Sequence, residues 1–161
     1  MSDIPPWLPP LVRLDDFGGD WQRYLDALYE IFRRDFIEAT PYFWDVPCYC
    51  KREDKHAGKE RTFWHVISEG LAEEERLPDL RRCERIAWPR VLIQRISTAD
   101  VLSWRSSRQK GERIVVSLPD FSYVVILDER KSHLILWTAY PVDHAHWRSK
   151  LRKEYERAQK S

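Results

Sequence analysis

The chain has 161 residues and a mass of 19.4 kDa, a length typical of one domain rather than two. Hydrophobic residues make up 43% of the chain and include 8 Trp, 7 Tyr and 6 Phe, so a sizeable core is expected and global disorder is excluded. No apolar run is long enough for a membrane span, and the N-terminus lacks the pattern of a targeting segment. We therefore expect a cytoplasmic protein without a membrane partner.

The formal net charge is only +1, but the charges are unevenly distributed along the chain. Residues 1–47 contain 9 acids and 4 bases, whereas residues 81–113 contain 3 acids and 9 bases. A segment with three times as many bases as acids predicts a local surface that binds anions. The same split leaves open that the acidic N-terminal part docks on the basic segment within one molecule.

The three cysteines, Cys48, Cys50 and Cys83, are an odd number and lack the C-x-x-C spacing of zinc sites. Their pattern predicts reduced thiols in a reducing compartment. A metal site that joins Cys48 and Cys50 to His144 and His146 would need a spatial coincidence that the sequence does not supply. We expect no metal and no other cofactor.

Residues 1–19 form a Pro-rich N-terminal arm, and residues 20–161 are expected to form a single α+β domain. Apolar residues recur at three- and four-residue steps over Asp20–Ala39, which predicts one amphipathic helix. Farther along, Thr62–Ser68 reads TFWHVIS. Its aromatic and β-branched residues predict a strand that carries His65 on one face.

A second helix is predicted over Leu77–Ala87, and Pro89 is expected to end, kink or restart it. The last third contains four β-rich runs separated by turn residues: Val101–Arg105, Arg113–Leu118, Phe121–Leu127 and His133–Tyr140. This layout predicts an antiparallel meander, followed by a C-terminal helix over His144–Gln159. The predicted fold is α+β, with N-terminal helices packed on a small antiparallel sheet and a helix at the C-terminus.

His65 is the first candidate for chemistry, because an imidazole can give or take a proton near neutral pH. Arg81, Arg82 and Arg85 lie within about one helical turn, so at least two guanidiniums can point the same way and hold a phosphate. Each feature also has a plain structural interpretation. The histidine can be a satisfied core residue, and the arginines can be a solvated helix face.

Two further groups of residues suit the recognition of a nucleic acid. Thr138 and Tyr140 lie two residues apart on a predicted strand, so their hydroxyls share a face, while Trp137 and Ala139 face the other way. The segment WRSSRQKGER places several bases around one indole, which suits backbone neutralisation and base stacking. The residues predicted to bind nucleic acid are Arg81, Trp104, Arg105, Arg108, Lys110 and Lys131. An ordinary solvent face and a plain soluble turn are the alternatives.

The order of these elements resembles a known superfamily. An N-terminal helix is followed by TFWHVIS, by the arginine helix RRCERIAW, and by a meander that ends in LWTAYPV before a basic helix. This order over about residues 42–157 is similar to that of phage-associated members of the barnase, EndoU, colicin and RelE-like superfamily. The resemblance implies a metal-independent ribonuclease, frequently a toxin, with RNA as substrate and an immunity or antitoxin protein as a partner.

The resemblance also implies a site. The positions that match are His65 on the first strand, Arg82 and Arg85 on the helix, and Thr138 and Tyr140 on the last strand. His65 would act as base or acid when the 2′-hydroxyl attacks its own phosphate, and the arginines would stabilise the developing charge. The hydroxyls would orient the phosphate. The superfamily's basic residue within the sheet has three competing matches: Arg105, Lys110 and Lys131.

Two functions from other classes remain open. One is a module that binds nucleic acid without cleaving it, for example a phage regulatory protein. The other is a phage structural or host-interaction protein, because the 8 tryptophans suit a binding interface. Salt-sensitive RNA binding without products would identify the first, and oligomerisation without affinity for nucleic acid would identify the second.

Overall fold

The structure of the protein is a computed structural model that describes residues 4–53, 55–70, 75–108 and 111–160. Its helices are α1 (Trp21–Phe32), α2 (Arg61–Ile67), α3 (Leu80–Glu84), α4 (Trp88–Gln94) and α5 (Ala145–Gln159). Its strands are β1 (Tyr42–Phe43), β2 (Val46–Cys50), β3 (Ser68–Glu69), β4 (Leu77–Pro78), β5 (Leu102–Arg108), β6 (Gly111–Ser117), β7 (Tyr123–Glu129) and β8 (Leu134–Pro141). The predicted α+β class is confirmed.

The main sheet has the strand order β1-β2-β8-β7-β6-β5. Strands β5 to β8 form the predicted antiparallel meander. The prediction of a purely antiparallel sheet is wrong, because β2 pairs in parallel with β8, with Cys48 opposite Leu134. Strand β2 was not predicted from the sequence, because it is short and contains Pro47. Its signal is the C-x-C pair, which places Cys48 and Cys50 in the core and leaves Tyr49 exposed.

The sheet separates two apolar cores, as alternate residues of β7 demonstrate. Tyr123, Val125 and Leu127 belong to the larger core, which also contains buried residues of α1 to α4. Val124 and Ile126 belong to the smaller core, which includes Leu151 of α5. Helices therefore cover both faces, and not all of them precede the sheet. Among the described helices, none combines the length and apolarity needed to cross a membrane.

The predicted N-terminal helix is confirmed. Its first turn is capped by Asp20, whose carboxylate accepts a hydrogen bond from the Arg23 amide at 3.2 Å. Tyr24, Leu28 and Phe32 are fully or almost fully buried and form the face that lies in the larger core. A π-helical turn, Arg33–Ile37, then ends the helical segment two residues before the predicted Ala39.

The N-terminal arm packs on α3 and α4. Leu8 is buried, the Trp88 indole donates to the Pro9 carbonyl at 2.9 Å, and the Val12 amide donates to the Glu84 carbonyl at 2.9 Å. The acidic N-terminal part thus does dock on the basic segment, through backbone and apolar contacts and through two arginines, of which Arg90 donates to the Asp35 carbonyl and Arg95 lies over the Trp7 ring. Between the described residues of 1–47 and 81–113 there is no ion pair.

The prediction that TFWHVIS forms a strand is wrong, because Thr62–Ile67 belong to α2. The prediction that His65 lies on a first strand is therefore wrong as well. Phe63, Val66 and Ile67 are buried together in the larger core at helical spacing. The Thr62 hydroxyl accepts a hydrogen bond from the Lys51 amide at 2.7 Å. Packing on several sides thus overrides the β-propensity of aromatic and β-branched residues.

The helix predicted over Leu77–Ala87 is confirmed only over Leu80–Glu84, because Leu77–Pro78 form β4 instead. Helix α3 is short, and Pro89 occupies the first turn of α4, where its missing amide proton costs no hydrogen bond. The interpretation that Pro89 restarts a helix is confirmed. Asp79 caps α3 by accepting a hydrogen bond from the Arg81 amide at 2.9 Å.

The three cysteines are free and buried, so we expect the stability of the fold to depend on pH in the alkaline range. Burial raises the pKa of the Cys48 and Cys83 thiols to about 12 and that of Cys50 to about 11, from 9.0. As the pH rises, the thiols lose their protons in the unfolded chain before they do so in the folded protein. Their contribution to the free energy of unfolding is therefore complete below pH 9 and declines above it. We expect urea unfolding between pH 8 and pH 10.5 to show a falling free energy of unfolding. The slope should approach about 1 kcal/mol per pH unit for each thiol. A flat profile would contradict this assignment.

Candidate active site

An open cavity of about 800 Å³ lies between α2, the short β3–β4 pair, α3 and the end of β8. We call it the first cavity. Its polar lining consists mainly of Arg61, His65, Arg76, Arg82, Thr138 and Tyr140. Among the described residues of this lining there are three arginines and one glutamate, Glu69. The described lining is therefore suited to an anion with a group that can transfer a proton beside it.

Four of the five predicted catalytic residues come together here: His65, Arg82, Thr138 and Tyr140. They arrive from α2, α3 and β8, which are far apart in sequence. The fifth, Arg85, lies elsewhere, because α3 turns its side chain toward α4 and the N-terminal arm. The prediction that two neighbouring guanidiniums share a direction holds for Arg81 and Arg85 rather than for Arg82 and Arg85.

Arg82 is held in place by three partners of its Nη1 atom. This atom donates to the Ser68 carbonyl at 2.6 Å and more weakly to the His65 carbonyl at 3.4 Å and the Thr138 hydroxyl at 3.5 Å. The guanidinium carbon lies 5.2 Å from the centre of the Tyr140 ring, a cation–π contact. Its Nε atom is buried without a hydrogen bond but lies 3.7 Å from the Asp79 carboxylate, and 14% of the side chain stays exposed. Arg82 is thus a fixed cation at the cavity wall.

Arg76 is fixed in a similar way. Its Nη2 atom donates to the Ser68 carbonyl at 2.6 Å and to the His65 carbonyl at 3.0 Å, and its Nη1 atom donates to the Gly70 carbonyl at 2.8 Å. The last carbonyls of a helix have no partners within the helix. Arg76 and Arg82 supply partners at the end of α2, so both arginines serve the fold as well as the cavity.

His65 is 5% exposed and packs edge-on against Trp137, with 5.2 Å between ring centres. The Arg113 guanidinium lies 4.8 Å from the centre of the same indole. The Thr138 hydroxyl donates to the His65 carbonyl at 3.2 Å, which ties α2 to β8. The imidazole therefore occupies a defined position at the cavity wall.

Trp137 also lines the cavity, so the prediction that it faces away from Thr138 and Tyr140 is wrong. The pairing of β7 with β8 shifts at this point, since Ile126 lies opposite Thr138 and Leu127 lies opposite Leu136. Trp137 is the extra residue of this β-bulge, which breaks the alternation of side chains. The prediction that Thr138 and Tyr140 share a face is confirmed.

Reasoning from sequence missed Arg61 and Arg76. Arg61 lies four residues before His65, a spacing that puts both on one side of a helix but means nothing in a strand. The error in secondary structure therefore concealed it. Arg76 follows an acidic run and carries no signal of its own in the sequence.

Arg81 and Arg85 line a second cavity of about 210 Å³, which we call the second cavity, together with Arg148 of α5. Burial, and then the nearby Arg81, lower the pKa of Arg85 from its ordinary value. The Arg85 guanidinium lies 5.1 Å from the centre of the Trp88 ring. Arg81 is paired with Asp143, which precedes α5.

The predicted nucleic-acid-binding residues outside the cavities have different environments. Trp104 is 5% exposed, donates to Glu154 at 2.9 Å and packs beneath α5, so the prediction that it stacks on a base is wrong. Arg105 is exposed and makes two hydrogen bonds with Glu129, at 3.1 and 2.7 Å. Lys131 is exposed in the turn between β7 and β8. The Arg108 side chain and Lys110 lie outside the described residues.

The described part of the chain contains no group of three or more His, Cys, Asp or Glu side chains that could hold a metal ion. Cys48 and Cys50 are buried in β2, whereas His144 and His146 are exposed at the start of α5. The metal site considered from the sequence is therefore not assembled by these residues.

No protein-family model matches the sequence, and comparisons with curated proteins and with solved structures give no significant match. A function is therefore inferred from the geometry of the cavities alone.

Proposed function

We propose that this protein is a metal-independent RNA endonuclease of the toxin type that acts in the cytoplasm. The observation that carries the proposal is the convergence of His65, Arg82, Thr138 and Tyr140 in one open cavity with two further arginines. Three free thiols are compatible with a reducing compartment. A phage origin and an immunity or antitoxin partner belong to the same proposal.

The proposed reaction needs groups that this cavity contains. The 2′-oxygen forms a bond to the adjacent phosphorus, the bond from phosphorus to the 5′-oxygen breaks, and a 2′,3′-cyclic phosphate results. One proton leaves the 2′-hydroxyl and another reaches the departing 5′-oxygen. His65 is proposed for one of these transfers, and Thr138 and Tyr140 for orienting the phosphate.

The arginines supply the electrostatic part of the proposal. Arg76 and Arg82 are already fixed by the carbonyls at the end of α2, so little reorganisation is needed when negative charge develops on the phosphate oxygens. Arg61 adds a third cation to the cavity wall. Arg85, which lies in the second cavity, is not part of this proposed reaction centre.

The test is incubation of purified protein with total RNA and tRNA in EDTA, with analysis of the product ends. We expect discrete fragments that carry 2′,3′-cyclic phosphate. Tyr140→Phe keeps the ring beneath Arg82 but removes the hydroxyl. We therefore expect the rate of cleavage to fall by about tenfold. Tyr42→Phe is the matched control, because Tyr42 is 54% exposed on β1 and lines neither cavity. We expect the Tyr42→Phe protein to cleave at the wild-type rate.

Absence of fragments at every pH from 5 to 9 would overturn the proposal. Fragments that survive unchanged in the Tyr140→Phe protein would exclude its hydroxyl from the reaction. Salt-sensitive binding of RNA without products would instead identify a module that binds nucleic acid without cleaving it.

A protein-interaction function is the second candidate, because three aromatic side chains are exposed at the β1–β2 edge of the sheet. Tyr42 is 54% exposed, Trp44 61% and Tyr49 43%. Aromatic residues are enriched at the centres of protein interfaces. Concentration-dependent association in sedimentation experiments, without any affinity for RNA, would favour this function over the nuclease.

A further inference from the structure

The second cavity lies between the N-terminal arm, α3, the start of α4 and the start of α5. Among the described residues of its lining, three supply guanidiniums, Arg81, Arg85 and Arg148, and one supplies a carboxylate, Asp120. That carboxylate already accepts hydrogen bonds from the Ser122 amide at 3.0 Å and the Ser122 hydroxyl at 2.5 Å. Because Arg81 is paired with Asp143 outside the lining, the described wall of the second cavity owes its positive charge mainly to Arg85 and Arg148.

The donors of these guanidiniums are only partly used within the protein. Arg85 donates through Nη1 to the Arg81 carbonyl at 3.0 Å and lies 3.6 Å from Glu84, although only 13% of its side chain is exposed. Arg148 donates through Nε to the Val142 carbonyl at 2.7 Å. A guanidinium carries five N–H donors, so both arginines have donors left for a ligand.

Electrostatics inside the second cavity favour an anion. Burial and the neighbouring Arg81 both disfavour the charged form of Arg85 and lower its pKa. A bound anion would offset both effects, because it places an opposite charge beside the crowded cations. Arginine is also the side chain best matched to the oxygens of a phosphate.

The two cavities are neighbours along two elements of the fold. Arg82 and Tyr140 line the first, whereas the adjacent residues Arg81 and Pro141 line the second. We propose that the second cavity is a phosphate subsite that takes a backbone phosphate of RNA next to the phosphate held in the first cavity. This inference rests on the proposed function for the identity of its ligand.

The test uses a hexanucleotide of 2′-O-methyl RNA, which lacks the attacking hydroxyl and therefore measures binding without cleavage. Affinity is measured by fluorescence anisotropy at several salt concentrations for the wild type, Arg85→Gln and Arg148→Gln. We expect each variant to bind about tenfold more weakly at low salt, with the slope of log K against log salt reduced by about 0.7.

The matched control is Arg23→Gln, because Arg23 is exposed on α1 and lines neither cavity. This variant removes the same charge and should keep wild-type affinity. Arg148 lies on a different element from Arg85, so agreement between the two variants separates a lost contact from a local folding defect. Melting temperatures near that of the wild type complete this check.

Thermal melts with inorganic phosphate distinguish the sources of the anion. Wild-type affinity for RNA in both variants would overturn the inference, whether or not the protein cleaves RNA. Loss of a phosphate-induced rise in melting temperature with unchanged RNA binding would also overturn it, since the cavity would then hold free phosphate. Weaker RNA binding by both variants of a protein that never cleaves would support the subsite while the nuclease proposal fails.

Discussion

His65→Asn is expected to lower the rate of RNA cleavage by about 10²- to 10⁴-fold, the usual contribution of a group that transfers a proton in the transition state. The imidazole packs on Trp137 at the wall of the first cavity, where asparagine keeps a polar group but cannot titrate. Cleavage is followed with a labelled RNA in EDTA across pH 5 to 9. A limb of the wild-type pH–rate profile should be missing from the variant.

His146→Asn is the matched control, because His146 is exposed on α5 and should leave the rate unchanged. The melting temperature of both variants establishes whether each is folded. A folded His65→Asn protein that cleaves at the wild-type rate would remove His65 from the mechanism.

Phe63→Ala is expected to cost about 3–5 kcal/mol of folding free energy, because it empties a fully buried site in the larger core. The Phe63 ring lies 5.3 Å from Tyr29 and 5.5 Å from Phe32, between ring centres. It therefore anchors α2, the helix that carries His65, against α1. Urea unfolding monitored by circular dichroism measures the loss.

Phe63→Leu refills most of this volume and should cost about 1–2 kcal/mol. Trp147→Ala removes a larger ring that is 53% exposed and should change stability by about 0.5 kcal/mol or less. Equal losses for Phe63→Ala and Trp147→Ala would contradict the assignment of Phe63 to the core.

The elements that were predicted correctly have strong local signals. Helix α1 has an apolar stripe at helical spacing and a capping aspartate, and the strands of the meander alternate with turn residues. Helix α2 has no such stripe, because most of its residues are buried against different parts of the protein. Its aromatic and β-branched composition therefore favoured the wrong element.

The candidate site was predictable only in part. His65, Arg82, Thr138 and Tyr140 could be selected by residue type and order, even though His65 was placed on the wrong kind of element. The inward position of Trp137 depends on a β-bulge that the sequence does not reveal. Arg76 lies at the cavity because its side chain donates to the His65 and Ser68 carbonyls at the end of α2, contacts from side chain to backbone that residue patterns do not predict.

The bonds from Arg76 and Arg82 to the end of α2 have an evolutionary consequence. A relative without the proposed nuclease activity would still need both guanidiniums, because the carbonyls of His65 and Ser68 would otherwise lose their charged partners. Selection for a stable fold would retain these arginines after selection for activity had ceased. Among the described residues, the Tyr140 hydroxyl carries no such bond, and only its ring contacts Arg82. Under the proposed nuclease function, drift from tyrosine to phenylalanine at this position would therefore mark a lineage in which catalysis had ended.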